Sequence, residues 1–147
     1  MENSKKQITC MMNEQTLAVL STYNAEFEQP YGTIIAFYNS DNLKNIFFAT
    51  PKATRKYANL LKCPKVSVLI DTRKNDGADI GVSAALTALG TAREITVNND
   101  NILGAFLDKH PQLKSFLESP STALFSVEVH KYILVNRFQD VTELDMT

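Results

Sequence analysis

Apolar residues in this chain fall mostly into short runs with period two, separated by clusters rich in Asn, Asp, Gly and Pro. That pattern predicts strands joined by turns. Residues 3–14 differ, because Ile8, Met11 and Met12 recur at helical spacing and predict a short N-terminal helix with one buried face. A strand is expected over 16–22, then a turn-rich segment over 24–30, then strands over 32–38 and 45–49 separated by Asn39-Ser40-Asp41-Asn42. These links are too short for helical crossovers, so the three strands form an antiparallel meander. A helix follows over 51–62, Pro64 stops it, and residues 66–70 return as a strand. The polar loop 71–81 carries Asp76-Gly77 as a turn signal. Residues 82–97 alternate, with Leu86, Ala88 and Gly90 on one face and Thr87, Leu89 and Thr91 on the other. Asn98 to Asn101 break this strand and cap a helix carried by Ile102, Leu103, Phe106 and Leu107 that ends at His110-Pro111. A further helical turn at 113–117 stops at Pro120, and 122–135 is a last long strand, with room for one more in the tail. Six or seven strands with no βαβ alternation predict a mainly β fold: an antiparallel barrel or strongly curled sheet flanked by α-helices.

Composition narrows the class. With 147 residues, 44% of them hydrophobic and 21% charged, the chain is expected to form a single domain over 1–147 with an ordinary core. Fifteen basic residues against sixteen acidic ones leave a net charge of −1, which argues against a nucleic-acid partner. The N-terminus lacks the apolar run of a signal peptide and no run of membrane-spanning length occurs, so no membrane association and a cytoplasmic location are expected. Cys10 and Cys63 belong to no C-x-x-C cluster; two free thiols in a reducing compartment and no metal site are the expectation.

The segment over 47–62 carries the most chemistry. Thr50 is a natural N-cap and Pro51 suits a first helical position. Ala53, Tyr57, Leu60 and Leu61 form the expected buried stripe, with Lys52, Arg55, Lys56 and Asn59 on the other side. Helix N-termini favour acids, yet this helix has none and places three cations in its first two turns. Free N–H groups, Thr hydroxyls and cations there can converge on a phosphate. A solvated basic face is the competing account. Elsewhere the signals are weaker. His130 shares a strand face with Ser126 and Glu128, as on a solvated or interface surface, and His110 suits a structural role at a helix end. Gly77 and Gly81 fit turn chemistry rather than a phosphate loop. Asp76, Asp79, Glu94 and Glu128 show no paired spacing, so no catalytic residue is assigned, and Arg73, Lys74 and Arg93 read as scattered surface charge.

Gln29-Pro30-Tyr31, a strand, a turn, a strand ending at Phe48, then Thr54-Arg55-Lys56 and Cys63-Pro64-Lys65-Val66-Ser67-Val68-Leu69 together resemble the pyridoxamine 5′-phosphate oxidase-like, FMN-binding split-barrel family. Leu89-Gly90-Thr91-Ala92 is similar to a later strand of that family, and the likeness runs over roughly residues 15–95. The resemblance implies a six- to seven-stranded antiparallel split β-barrel that binds FMN. It places Thr54, Arg55 and Lys56 on the FMN phosphate with Thr50 and Ala49 nearby, and lays Thr33, Ile34, Ile35 and Ala36 along the isoalloxazine and ribityl. It also implies a homodimer with flavin at the subunit interface, the partner chain contributing residues near 83–86. The implied activity passes hydride or electrons between a reduced nicotinamide or other donor and a small substrate; a flavin carrier or sensor, or a haem-handling protein using His130 or His110, are the alternatives. The vitamin oxidases carry Arg at the Thr33 position, a substrate-binding Lys at the Tyr38 position, and a terminal motif bearing arginine and histidine. This chain has none of these, so pyridoxamine phosphate oxidation is not expected.

Overall fold

Alternating apolar positions give each strand one face to bury, and here the sheet buries it by curling onto itself. The computed structural model describes residues 2–96, 100–136 and 140–147. In chain order the elements are α1 (Glu2–Glu14), β1 (Leu17–Asn24), β2 (Gln29–Asn39), β3 (Asn45–Pro51), α2 (Arg55–Lys62), β4 (Lys65–Asp71), α3 (Asp79–Val82), β5 (Ala85–Ile95), α4 (Asp100–Lys109), a 3₁₀ turn (Pro111–Leu113), α5 (Lys114–Glu118), β6 (Thr122–Asn136) and β7 (Asp140–Asp145). Every pairing is antiparallel, in the order β3-β2-β1-β4-β5-β6-β7. A further β3–β6 ladder, from Asn45↔Glu128 to Pro51↔Thr122, closes six strands into a barrel and leaves β7 as an extra strand on β6. This is the split-barrel architecture expected from the chain.

The barrel interior holds Leu20, Ile35, Phe37, Phe48, Val68, Leu86, Ala88 and Phe125, and α1 adds Ile8, Met11 and Met12 to the same core. On the outer side of β3, α4 and α5 build a second cluster around Phe47, Phe106 and Leu117. His110, at the end of α4, is buried with its Nε2 2.7 Å from the Phe37 carbonyl oxygen. Its neighbour Lys109 donates to the Met12 carbonyl at 2.8 Å and sits 3.8 Å from the Phe37 ring centroid.

β6 is long enough to serve several partners because it bends. The β5–β6 register shifts between Leu89 and Gly90: Gly90 opposes Val129 and Leu89 opposes Lys131, so His130 has no opposite residue. Such a bulge reverses side-chain parity. Ala123, Phe125, Val127 and Val129 are buried before it, Tyr132 and Leu134 after it. His130 therefore projects outward at the bulge, its Nε2 2.9 Å from Thr91 Oγ1. Gly90 has the role of letting the strands close: a Cβ there would collide with the Glu128 carbonyl oxygen and lie 2.7 Å from Val127 Cγ1.

Several boundaries differ from the sequence pattern. Residues 82–84 precede the strand, which begins at Ala85 after the short helix α3. Asp76-Gly77 makes no tight hairpin; the Asp79 carboxylate instead accepts N–H groups of Lys74, Asn75 and Asp76, and it is Asn75, with φ 65°, that turns the chain. These N–H bonds hold the Asp79 carboxyl below its ordinary pKa. The expected cap at Asn98 and Asn99 lies outside the described residues.

Two outcomes follow from these contacts. Gly90→Ala is expected to lower stability by about 1–3 kcal/mol through overpacking at the bulge, read as a lower urea midpoint. Burial lowers the Lys109 pKa to about 8 from 10.5, so above that value the folded chain sheds a proton that the unfolded chain keeps. Stability then rises from pH 8 toward pH 10, and the difference between wild type and Lys109→Met in urea melts across that range measures it.

Candidate functional site

β3 persists through Thr50 and Pro51 because both still pair with Ala123 and Thr122 of β6, and the Lys52 N–H extends this by donating to the Ser121 carbonyl at 2.8 Å. The ladder outcompetes the helix there, so α2 begins at Arg55 rather than at Pro51. The N-cap is consequently Thr54, not Thr50. Its backbone is extended (φ −122°, ψ 157°), and its hydroxyl accepts the Tyr57 N–H at 3.2 Å while donating to the Pro51 carbonyl at 2.9 Å. Thr50 points into the barrel end, fully buried, with its hydroxyl 3.1 Å from that of Thr54.

This shift sharpens the charge pattern. The first turn of α2 contains no acid, and Arg55 and Lys56 are its first two residues. Their amides precede the first intrahelical bond, from the Ala58 N–H to the Thr54 carbonyl. Lys56 is half-buried and desolvation lowers its pKa. The ion pairs found among the described residues, Arg73–Asp71 and Lys131–Glu143, lie elsewhere. The positive end of the helix thus carries two cations with no carboxylate in ion-pair contact, an arrangement that an anion would stabilise.

The buried stripe of α2 is rotated from its expected position. Leu61 is 62% exposed, whereas Asn59 is only 4% exposed. Asn59 Nδ2 donates to Thr22 Oγ1 at 3.0 Å, and Asn59 Oδ1 accepts from Asn24 Nδ2 at 3.0 Å. Asn24 Oδ1 in turn accepts the Phe27 N–H at 2.8 Å, tying the helix to the tip of the β1–β2 hairpin. No spacing rule pointed to Asn59, since its partners come from a hairpin distant in sequence.

A gap opens beside the helix. The β2–β3 ladder spans only Phe37↔Phe48 to Asn39↔Ile46, although β2 begins at Gln29 and β3 ends at Pro51. Over residues 29–36, the β2 edge facing β3 has no strand partner among the described residues. Within that stretch Thr33 is turned inward and its Oγ1 is buried without a hydrogen-bond partner. Ile35 belongs to the core, while Ile34 is 69% exposed and Ala36 is half-buried. Ala49 packs in the α4–α5 cluster, on the opposite face from Thr50, as does Tyr38, whose ring stacks on Phe47 at 6.1 Å. Ile35 and Ala49 therefore have only backbone to offer a ligand from this side. Thr50, Thr54, Arg55 and Lys56 form one connected turn, and it meets the unpaired part of β2 where the Arg55 guanidinium lies 6.0 Å from the Tyr31 ring centroid.

The outer face of the barrel adds a third region. A cleft of about 190 Å³ beside Leu17, Val19 and Ile34 adjoins one of about 420 Å³ beside Ile80, Ser83, Ala84 and Ala85, the two sharing Leu69, Asp71 and Arg73. Ile34 and the segment at 83–85 thus border one continuous surface. Among the described residues no three His, Cys, Asp or Glu side chains cluster to hold a metal, and no helix is long and apolar enough to cross a membrane. Cys10 and Cys63 are both free.

Comparison with known proteins agrees with this architecture. The family model described as pyridoxamine 5′-phosphate oxidase matches residues 4–135. No curated protein matches the sequence significantly. Among solved structures, General Stress Protein 26 from Bacillus anthracis str. Sterne superposes with a TM-score of 0.72 at 22% identity, covering 98% of this chain and 99% of that one. A heme binding protein from Mycobacterium smegmatis gives 0.79 at 14% identity, covering 93% of this chain but 56% of that chain's length. ChuZ of Campylobacter jejuni gives 0.85 at 13% identity, covering 99% of this chain and 61% of that one. At these identities the likeness is one of fold.

The buried amide network generates one prediction. Asn59→Leu strands the Asn24 amide and the Thr22 hydroxyl, and should cost about 1–3 kcal/mol in urea denaturation. Thr54→Ala, which removes the cap together with the hydroxyl contacts to Pro51 and Thr50, should cost about 1–2 kcal/mol.

Proposed function

Because this chain belongs to the pyridoxamine 5′-phosphate oxidase family, we propose that it is an FMN-binding flavoprotein acting as an oxidoreductase, passing hydride or electrons between a reduced nicotinamide or other donor and a small substrate. The observation that carries this reading is the acid-free start of α2, where Arg55 and Lys56 stand beside an unpaired strand edge. A phosphate docked there accepts charge-assisted hydrogen bonds from both side chains and from the helix amides. It also supplies the counter-charge that half-buried Lys56 lacks, moving its pKa back up. Thr54 acts chiefly as the cap that holds this turn, with Thr50 behind it. Thr33 brings a buried hydroxyl without a protein partner, and the backbone of Thr33, Ile34, Ile35 and Ala36 lies on the strand whose outer edge is open, suited to the polar rim of a flat ring. Bound FMN supplies the redox chemistry, taking up and releasing hydride or single electrons. The protein's task is then placement and desolvation.

A homodimer belongs to the same proposal. Register places Ile34, Val19, Leu69, Thr87 and Ile133 in one row across the outer face, and Leu17, Ile80 and Val82 are exposed large apolar residues of this chain. A second copy covering that face would set its own 83–86 segment near the flavin. With Tyr38 packed under α4 and Thr33 in place of arginine, we do not extend the proposal to pyridoxamine phosphate oxidation. A cytoplasmic location accords with two free thiols.

The test is a visible spectrum of the purified protein with and without added FMN, followed by anaerobic NADH and NADPH. Flavin absorption that bleaches with a nicotinamide is the expected result, and the Arg55→Ala, Lys56→Ala double variant should bind FMN at least about a hundredfold more weakly. Stoichiometric flavin that no donor bleaches would favour the carrier or sensor role instead. Full occupancy in the double variant would sink the phosphate assignment. A Soret band in place of a flavin spectrum would move the reading to haem, with exposed His130 as ligand, since the His110 imidazole is buried against the Phe37 carbonyl.

A further inference from the structure

The aromatic residues at the β1–β2 hairpin tip have no role in the core. Phe27 is 56% exposed, and its ring nevertheless lies 5.5 Å from the Arg55 guanidinium carbon. Tyr31, on the opposite side of the hairpin tip, presents its ring at 6.0 Å to the same guanidinium. Both distances are within the range at which a cation is attracted to an aromatic face. Arg55 would otherwise be a long flexible side chain on the surface, free to sample many rotamers.

Both sides of this contact are anchored to the same buried amides. Asn59, one helical turn after Arg55, bonds Asn24 and Thr22. Asn24 accepts the Phe27 N–H, and Thr22 opposes Tyr31 in the β1–β2 ladder, with a long 3.5 Å contact from its hydroxyl to the Tyr31 carbonyl. The hairpin tip and the helix start are thereby held in one geometry, and the rings inherit it. We propose that Phe27 and Tyr31 are positioning residues for Arg55, restricting its guanidinium to one place beside the hairpin tip so that it meets a phosphate already ordered. This rests on the reading of that turn as the FMN phosphate site. Preorganisation of this kind raises affinity by reducing the entropy lost on binding. It acts only through the phosphate, so a ligand without one gains nothing from it.

That difference supplies the experiment: dissociation constants for FMN and for riboflavin, by flavin fluorescence quenching, on the full chain. The double variant Phe27→Leu, Tyr31→Leu should weaken FMN about tenfold while leaving riboflavin unchanged, with Phe27→Tyr and Tyr31→Phe retaining wild-type FMN affinity. Adding the two leucines to Arg55→Ala should cause no further loss. An unaltered FMN-to-riboflavin ratio in the leucine variant, with Arg55→Ala still lowering it, would overturn the positioning role and leave the phosphate site standing. A ratio that Arg55→Ala itself does not move would instead remove the phosphate reading, and this proposal with it. A leucine variant that loses FMN and riboflavin equally would assign the rings to hairpin structure alone and also overturn the proposal.

Discussion

Closure of the barrel through the β3–β6 ladder is the constraint on which the core and the start of α2 depend. β3 pairs with β2 as far as Phe48, and beyond it Ala49, Thr50 and Pro51 pair only with β6. Over Ile46, Phe47 and Phe48 it uses both edges at once, with β2 on one side and β6 on the other. Past Phe48 β3 stays with β6, and the β2 edge facing β3 over Thr33 to Ala36 has no strand partner among the described residues. The same ladder delays the helix: while Thr50 and Pro51 remain paired across the sheet they cannot open a helix, and the N-cap passes to Thr54. Closure thus decides where β3 ends and which residues head α2.

β6 closes the barrel with a bulge at His130, where Gly90 of β5 allows the two strands to come close. A strand of 15 residues serves β3 along one part of its edge and β7 along another, with β5 on the other side. The bulge keeps apolar residues inward on both sides of the bend by reversing their parity, at the cost of one residue left unopposed. A simple alternation rule cannot follow such a reversal, because the inward set changes from odd to even positions within one strand.

The head of α2 is tied to a hairpin distant in sequence. Charge alone would leave Arg55 and Lys56 as two mobile side chains. The buried Asn59–Asn24–Thr22 amides instead fix the helix to the hairpin, since each unpaired buried polar group would be expensive. Two rings beside Arg55 and partial burial of Lys56 then restrict both cations. Local helix chemistry and distant strand residues have to agree before this turn has a defined shape.

Much of this was legible in the sequence. Period-two alternation identified the strands and the inward face of β5, short polar links identified the antiparallel meander, and the acid-free run Thr54-Arg55-Lys56 singled out one helix start. These are local signals, written in neighbouring residues and read through backbone geometry. Tertiary structure decided the rest: the N-cap at Thr54, the burial of Asn59 in place of Leu61, the bulge at His130, the helical turn α3 before β5, and the use of Ala49 and Tyr38 under α4. Each of these turns on a partner far along the chain. A residue's own type and spacing state what it can pair with, but which pairing wins depends on what the closed barrel brings alongside it.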